Sequence, residues 1–267
     1  MDWQLVIICL LTFVIHLVGT LAYSVRIAGV RTKRIAVSFA LFNILVLVSR
    51  TSNSLQGPFL AKRVESNLDP TAGPKLLLDF RWFLLSATFA TIIGAFLTPT
   101  FQRVFSRAVV NFQAHRSISR LLLHAFSRGG LAHIREVVSV PASAHITNLT
   151  IGRSISLQML ALNVAAVALW TVGVFASLYA GYLKPDFRVT ASTLSSIVNG
   201  GATILMFVLI DPQLSVMTDD VVDGKLSEPS FRRAIVWLVG SRCAGTLLAQ
   251  LLLVPAAALI VYVAQRL

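Results

Sequence analysis

The sequence predicts an all-α fold: a polytopic membrane helix bundle with about six transmembrane helices and a basic amphipathic helix in the third loop. Three observations carry that expectation. Of the 267 residues, 56% are hydrophobic and 13% are charged, against about 25% charged in an ordinary globular protein. The charges are also segregated. Six apolar stretches, near residues 5–24, 35–57, 82–101, 155–183, 189–210 and 234–264, contain only two of them, Arg50 and Arg242. Each stretch is long enough to cross a bilayer, which takes about 18 or more apolar residues. A soluble domain would expose too much apolar surface at this composition. A nucleic-acid binder would be richer in charge, so no nucleic-acid partner is expected.

The first span has an acidic flank, Met1-Asp2-Trp3-Gln4, where a cleaved signal peptide carries basic residues, so it is expected to stay as a membrane helix. His16 lies at its mid-depth. It either titrates or binds a polar headgroup there, or it is a neutral imidazole bonded to a neighbouring helix. Residues 25–34 form a short basic loop with Arg26, Arg31, Lys33 and Arg34 and no acid, a collar suited to anionic lipid headgroups.

Span 2 contains Arg50 about fifteen residues from its start. A guanidinium at that depth costs about 2.5–3.5 kcal/mol even on the mildest insertion scale. It should therefore face a polar cavity, unless the helix ends near Ser49 and Arg50 reaches the interface. On a helix, Arg50, Asn53 and Ser54 share one face, with Gly57 a turn further. Such a stripe suits an aqueous path or a bound anion.

After span 3, the apolar residues Phe101, Val104, Phe105, Ala108, Val109 and Phe112 fall on a helical stripe, with Arg103 and Arg107 off it. A basic amphipathic helix of this kind is expected to lie in the headgroup plane; the alternative is a plain extension of span 3. Gly129-Gly130 and Pro141 would end it. In span 4, Gly173, Ser177 and Gly181 form a small-residue ladder for close helix packing. Gly200-Gly201 interrupts span 5 and marks either a broken helix or a packing notch.

The following loop, read as turn-like from Asp211-Pro212, Gly224 and Pro229, contains Asp219-Asp220-Val221-Val222-Asp223. Strings of that type hold magnesium on a diphosphate, but a second acidic set is missing and a solvated acidic face is expected. Span 6 contains Arg242 among Gly240, Ser241 and Gly245. Two intramembrane guanidiniums facing one cavity would suit a phosphate or pyrophosphate, because Arg offers a planar fork of donors.

Cys9 and Cys243 both lie within spans, so no disulfide framework is expected. His115, His124, His133 and His145 are too widely spaced for metal ligands on one helical turn. No metal, cofactor or catalytic residue is expected. Counting Lys and Arg in the loops gives fourteen on the side of loops 1, 3 and 5 and seven on the other. By the positive-inside rule those three loops are cytoplasmic and both termini outside.

The run from Phe13 through His16, Gly19, Tyr23, Arg26 and Arg31 to Asn43, Ser49, Arg50 and Asn53 resembles the Amj family of lipid II flippases, the alternate to MurJ in Bacillus-type bacteria. The resemblance is dense over about residues 10–63 and looser to the C-terminus. It implies a bacterial cytoplasmic-membrane protein, not an enzyme. It would move undecaprenyl-pyrophosphate-linked disaccharide pentapeptide from the inner to the outer leaflet by alternating access, for cell-wall synthesis. Lipid II and anionic membrane lipids are then the expected partners. Arg50, Arg242, Asn53, Ser54 and His16 would bind the headgroup, and Arg26, Arg31, Lys33 and Arg34 would gather it at the cytoplasmic entry. Two other readings stay open: a magnesium-dependent membrane enzyme acting on a prenyl diphosphate, and a non-catalytic membrane scaffold.

Overall fold

The computed structural model describes residues 2–115 and 155–267. Helix α1 (Trp3–Thr32) opens on Asp2, whose carboxylate accepts from the Leu5 N–H. It closes at Lys33 in the left-handed region, φ 54°. Arg34 N–H then donates to Gly29 O, and α2 (Ile35–Glu65) starts at once. The expected ten-residue loop at 25–34 is thus mostly helix, because the apolar periodicity of α1 continues through Val25, Ile27, Ala28 and Val30, all buried. Pro58 is accommodated inside α2, and Arg50 lies mid-helix, so the helix does not end near Ser49.

A 3₁₀ turn at Pro70–Ala72 leads into α3 (Gly73–His115). The Phe101–Phe112 stripe is the uninterrupted continuation of this helix. Phe105 and Val109 are buried against Val25, Ala28, Leu41 and Phe42, so the apolar side of the extension is covered by α1 and α2 and not by headgroups. Arg103 and Arg107 remain exposed. The helix is basic and amphipathic as expected, but packing within the bundle outcompetes an interfacial position. Gly129-Gly130, Pro141 and the histidines at 124, 133 and 145 lie outside the described residues.

Helix α4 (Leu157–Leu183) is capped by Ser156, which accepts from Met159 N–H. Span 5 is built in pieces: α5 (Arg188–Thr193), α6 (Ser195–Ile204), a π-helical segment Leu205–Ile210, and α7 (Asp211–Val222). The chain is helical across Gly200-Gly201; the irregularities fall at Leu194 and at 205–210 instead. The stretch expected as a turn-like loop from Asp211 is helix α7, because Pro212 occupies its first turn, where a missing N–H costs nothing. Helix α8 (Glu228–Ala264) completes the chain, with Ser227 as N-cap and Pro255 inside it. Among the described residues six segments are long and apolar enough to cross a membrane, which makes this a multi-pass membrane protein.

Packing is dense within α1–α3 and within α4–α8, while the main contact between these halves is α3 against α8. The ends of the bundle identify themselves by side-chain bonds. Arg26 of α1 pairs with Asp211 of α7 at 3.1 Å, and Arg31 with Glu228 of α8 at 2.9 Å. At the other end Arg63 of α2 donates to Asp79 of α3 and to Asp2, and the Tyr182 hydroxyl donates to Asp69 O. Loops 1 and 5 therefore share one end, and the N-terminus with loops 2 and 4 the other, as six alternating spans require.

Candidate functional site

The apolar core is divided into levels. One cluster, with Phe80, Phe83, Phe175, Leu60 and Leu253, fills the end near the N-terminus. A second, with Ile27, Met159, Leu214, Phe231 and Leu238, fills the end near loops 1 and 5. On α1 the residues between these levels include Thr12, His16 and Thr20; on α8 they include Ser241, Arg242, Gly245 and Thr246; all are buried. A polar layer thus lies between two apolar cores, at mid-bundle.

Arg242 is 7% exposed, and its guanidinium lies against Gly19 of α1 so closely that a Cβ on Gly19 would collide with it. A side chain there would require the end of Arg242 to shift. The Tyr23 hydroxyl is its hydrogen-bond neighbour. Among the described residues Arg242 Nε has no hydrogen-bond partner and no carboxylate pairs with the guanidinium. A buried cation without an anion is costly, because desolvation is not repaid by Coulomb attraction. Asn163 of α4 holds α8 in place here, its Nδ2 donating to Leu238 O at 3.1 Å and to Ser241 Oγ at 2.7 Å.

His16 sits one turn from Gly19 on α1 and is 4% exposed, with no partner on Nδ1 among the described residues. It is near enough to Arg242 to feel its charge. It also lines a small cavity of about 60 Å³ together with Asn53 and Gln56 of α2, Trp170 and Thr171 of α4, and Asn199 of α6. Gln56 Nε2 donates to Thr12 Oγ1, which fixes that amide. Asn199 lies over Gly173, and its Oδ1 is buried without a partner among the described residues. Gly173, buried Ser177 and Gly181 therefore form the surface of α4 that admits α5 and α6, as the small-residue ladder predicts.

The residues singled out from sequence are placed as follows. His16 and Asn53 reach the pocket; Arg242 lies beside His16 behind it. Arg50 and Ser54 are exposed on the same face of α2 as Asn53, and neither lines the pocket. Arg50 and Arg242 therefore do not share one internal cavity. Of the basic collar, Arg26 and Arg31 are engaged by Asp211 and Glu228, while Lys33 and Arg34 are exposed at the turn. Asp219 and Asp223 are exposed, and Lys225 pairs with Asp223. Among the described residues no three His, Cys, Asp or Glu side chains gather as a metal site.

Sequence reasoning missed Gly19, Tyr23, Gln56, Asn163, Trp170 and Asn199. Deep amides in apolar spans are the signal that was available, because an intramembrane Asn or Gln needs a partner across helices. Gly19 and Trp170 gave none, since small and aromatic residues are common in any span.

Among the described residues, six apolar segments enclose a buried polar layer, with an arginine that no described carboxylate pairs where the two halves meet; the chain is a multi-pass membrane protein. The family model Amj, described as alternate to MurJ, matches residues 11–264, and the chain belongs to that family. It is 36% identical over 258 residues to the Lipid II flippase Amj of Bacillus subtilis (strain 168), covering 95% of this chain and 93% of that protein. No solved structure matches it.

Proposed function

We propose that this protein is a lipid II flippase of the bacterial cytoplasmic membrane, a transporter and not an enzyme. Its substrate is undecaprenyl-pyrophosphate-linked peptidoglycan precursor, moved from the inner to the outer leaflet. The observation that carries the reading is Arg242, a buried guanidinium with no carboxylate partner among the described residues, at the sparse contact between α1 and α8. A pyrophosphate entering there would supply the missing anion, with two oxygens available to the planar fork. Family membership and the name of the Bacillus subtilis relative support the same substrate.

Transport then consists of rocking α1–α3 against α4–α8, so that the two apolar end clusters part in turn. His16, Asn53 and Ser54 offer hydrogen bonds along the way, and exposed Arg50 attracts the headgroup on the outer face of α2. Loops 1, 3 and 5 are assigned to the cytoplasm and both termini to the outside, on the excess of Lys and Arg in those loops. Lys33 and Arg34 are the collar cations free to meet anionic lipid there, and Arg26 and Arg31 join them when their ion pairs open.

The test is outer-leaflet lipid II in cells in which this chain is the sole flippase, probed with an impermeant label. The wild-type chain restores labelling and growth. Arg242→Ala loses both while keeping its membrane level and detergent-soluble melting behaviour, and Arg50→Ala reduces the rate. Failure of the wild-type chain to restore labelling overturns the function. Full activity in both variants overturns the site.

A further inference from the structure

The buried polar layer has one fixed cation for an anion of two charges. A pyrophosphate joined to an organic group at each end keeps one ionised oxygen on each phosphorus. Arg242 offsets one of them. Arg50 is exposed on α2 and does not share a cavity with Arg242. Buried Arg63 is engaged by Asp79 and Asp2 at the end near the N-terminus. An uncompensated charge in a buried layer is strongly unfavourable.

One group in the layer can change its charge. His16 is 4% exposed and sits one turn before Gly19, on the face of α1 where the Arg242 guanidinium rests. Its Nδ1 has no partner among the described residues, and its ring borders the cavity of about 60 Å³. A water molecule needs about 10–15 Å³ of such space, so the cavity has room for a few, enough to bring a proton to the ring. Other titratable neighbours are few. Helix α8 brings Arg242 and Cys243, and α1 brings Tyr23 two turns further on. Helix α3 has no titratable side chain between Arg81 and Arg103, α2 has only Arg50 between Ile35 and Ala61, and α6 has none. The titratable groups of α4 are Tyr179 and Tyr182, at its far end beside Phe80. The six apolar stretches contain no carboxylate to hold a charge on His16. Before an anion arrives, a second cation beside Arg242 meets only repulsion.

We propose that His16 takes up one proton when the substrate pyrophosphate seats on Arg242 and gives it up when the anion leaves, so that both phosphate charges cross the membrane matched. The inference rests on the flippase reading above and adds a proton to its cycle. The proton is drawn from bulk through the cavity water to the open lone pair of the imidazole. Both ring nitrogens are then donors. The layer thereby passes from one net positive charge without the anion to none with it. By reciprocity, dianion and proton tighten each other's binding by the same factor.

The experiment uses the full chain in detergent and equilibrium dialysis with labelled sulfate, a dianion whose charge stays fixed over about pH 5–8, where histidine exchanges its proton. The binding scored is that lost in Arg242→Gln. Its dissociation constant should rise with pH, by up to about tenfold per unit. His16→Gln should bind weakly, with less than a twofold change over the range. A chain with His115, His124, His133 and His145 replaced by Gln keeps His16 as its sole histidine and should keep the wild-type slope. It decides the matter even where His16→Gln fails to fold. A flat wild-type profile, or no saturable binding lost in Arg242→Gln, overturns the proposal. So does a slope that survives in His16→Gln or vanishes in the sole-histidine chain; lipid II flipping in the sole-flippase cells would be untouched by that result. If instead the sulfate profile is as expected and the wild-type chain fails to flip lipid II, the flippase reading fails and the proton-linked anion site stands.

Discussion

The Arg242 guanidinium rests on the bare backbone of Gly19, with no room between them for even a methyl group. A charged side chain on α8 and an absent side chain on α1 are thus two parts of one arrangement. It joins the halves of the protein at the level between their apolar cores.

Gly19→Ala should push the guanidinium out of its seat. Overpacking of this kind typically costs about 1–3 kcal/mol, so the variant should still fold while losing much of its transport. Gly19→Leu should abolish transport. The flipping assay and a detergent melting curve separate the two effects. Full transport in Gly19→Leu would show that Arg242 can leave its seat without consequence.

Arg63 and Asp79, each 5% exposed, form a buried ion pair, with Nε to Oδ2 at 2.9 Å and Nη2 to Oδ2 at 2.6 Å. Removing Arg63 strands the buried Asp79, a loss of about 3–5 kcal/mol, whereas removing Asp79 leaves Arg63 its bond to Asp2. Arg63→Met should therefore lower the melting temperature strongly and Asp79→Leu less. The double variant should recover much of it, because hydrophobic replacement of both partners is often neutral. Equal or greater loss in the double variant would show that the charges themselves stabilise the fold.

The Arg26–Asp211 and Arg31–Glu228 pairs tie α1 to α7 and α8 at a single end of the bundle. Exposed pairs contribute about 0.2–1 kcal/mol each. Arg31→Gln alone should therefore change transport less than twofold. Arg26→Gln with Arg31→Gln should favour the form open at that end. Native Cys243, next to Arg242 and only partly buried, gives the readout: its labelling by a maleimide should quicken in the double variant. Unchanged labelling would mean that the pairs do not hold that end closed.

The hydrogen bond from Arg63 holds the Asp2 carboxyl below its ordinary value of 3.8, against a smaller opposing effect of desolvation. Its folded value being depressed, Asp2 contributes stability above its unfolded value near 3.8 and loses it as the pH falls through the lower folded value. Wild type should melt above Asp2→Asn at pH 7, and the two should converge in acid. A gap that persists in strong acid would assign the difference to the cap on Leu5 and not to the charge.

The six spans were legible because the membrane writes its demand as composition: 145 residues in the apolar stretches hold just Arg50 and Arg242. The ends of the helices were less legible. Arg26 reads as loop because it is charged, yet it is helical and half-buried, since its partner Asp211 comes from the other half of the chain. The extension of α3 was ambiguous for the same reason: a basic amphipathic stripe has one pattern whether lipid or α2 covers it. Arg242 stood out as an intramembrane charge. That Arg50, with the same chemistry, lies on the exposed side of α2 depends on which face of that helix meets α1, which periodicity in so apolar a stretch does not specify.

The π-helical segment Leu205–Ile210 has a consequence for the length of span 5. A π turn is an α turn that has taken in an extra residue, and each residue of an α-helix advances the bearing of all that follow by about 100°. Asp211 begins α7 directly after it, so the bearing that brings its carboxylate to Arg26 depends on that added residue. Phe207, Val208 and Leu209 are exposed and would tolerate exchange for other apolar residues. Deleting any one of them would rewind the segment and swing Asp211, Leu214 and Thr218 off the faces they now occupy. Identity is loosely constrained there and number is not; a change of residue count in this stretch acts as a phase error for the remainder of the span.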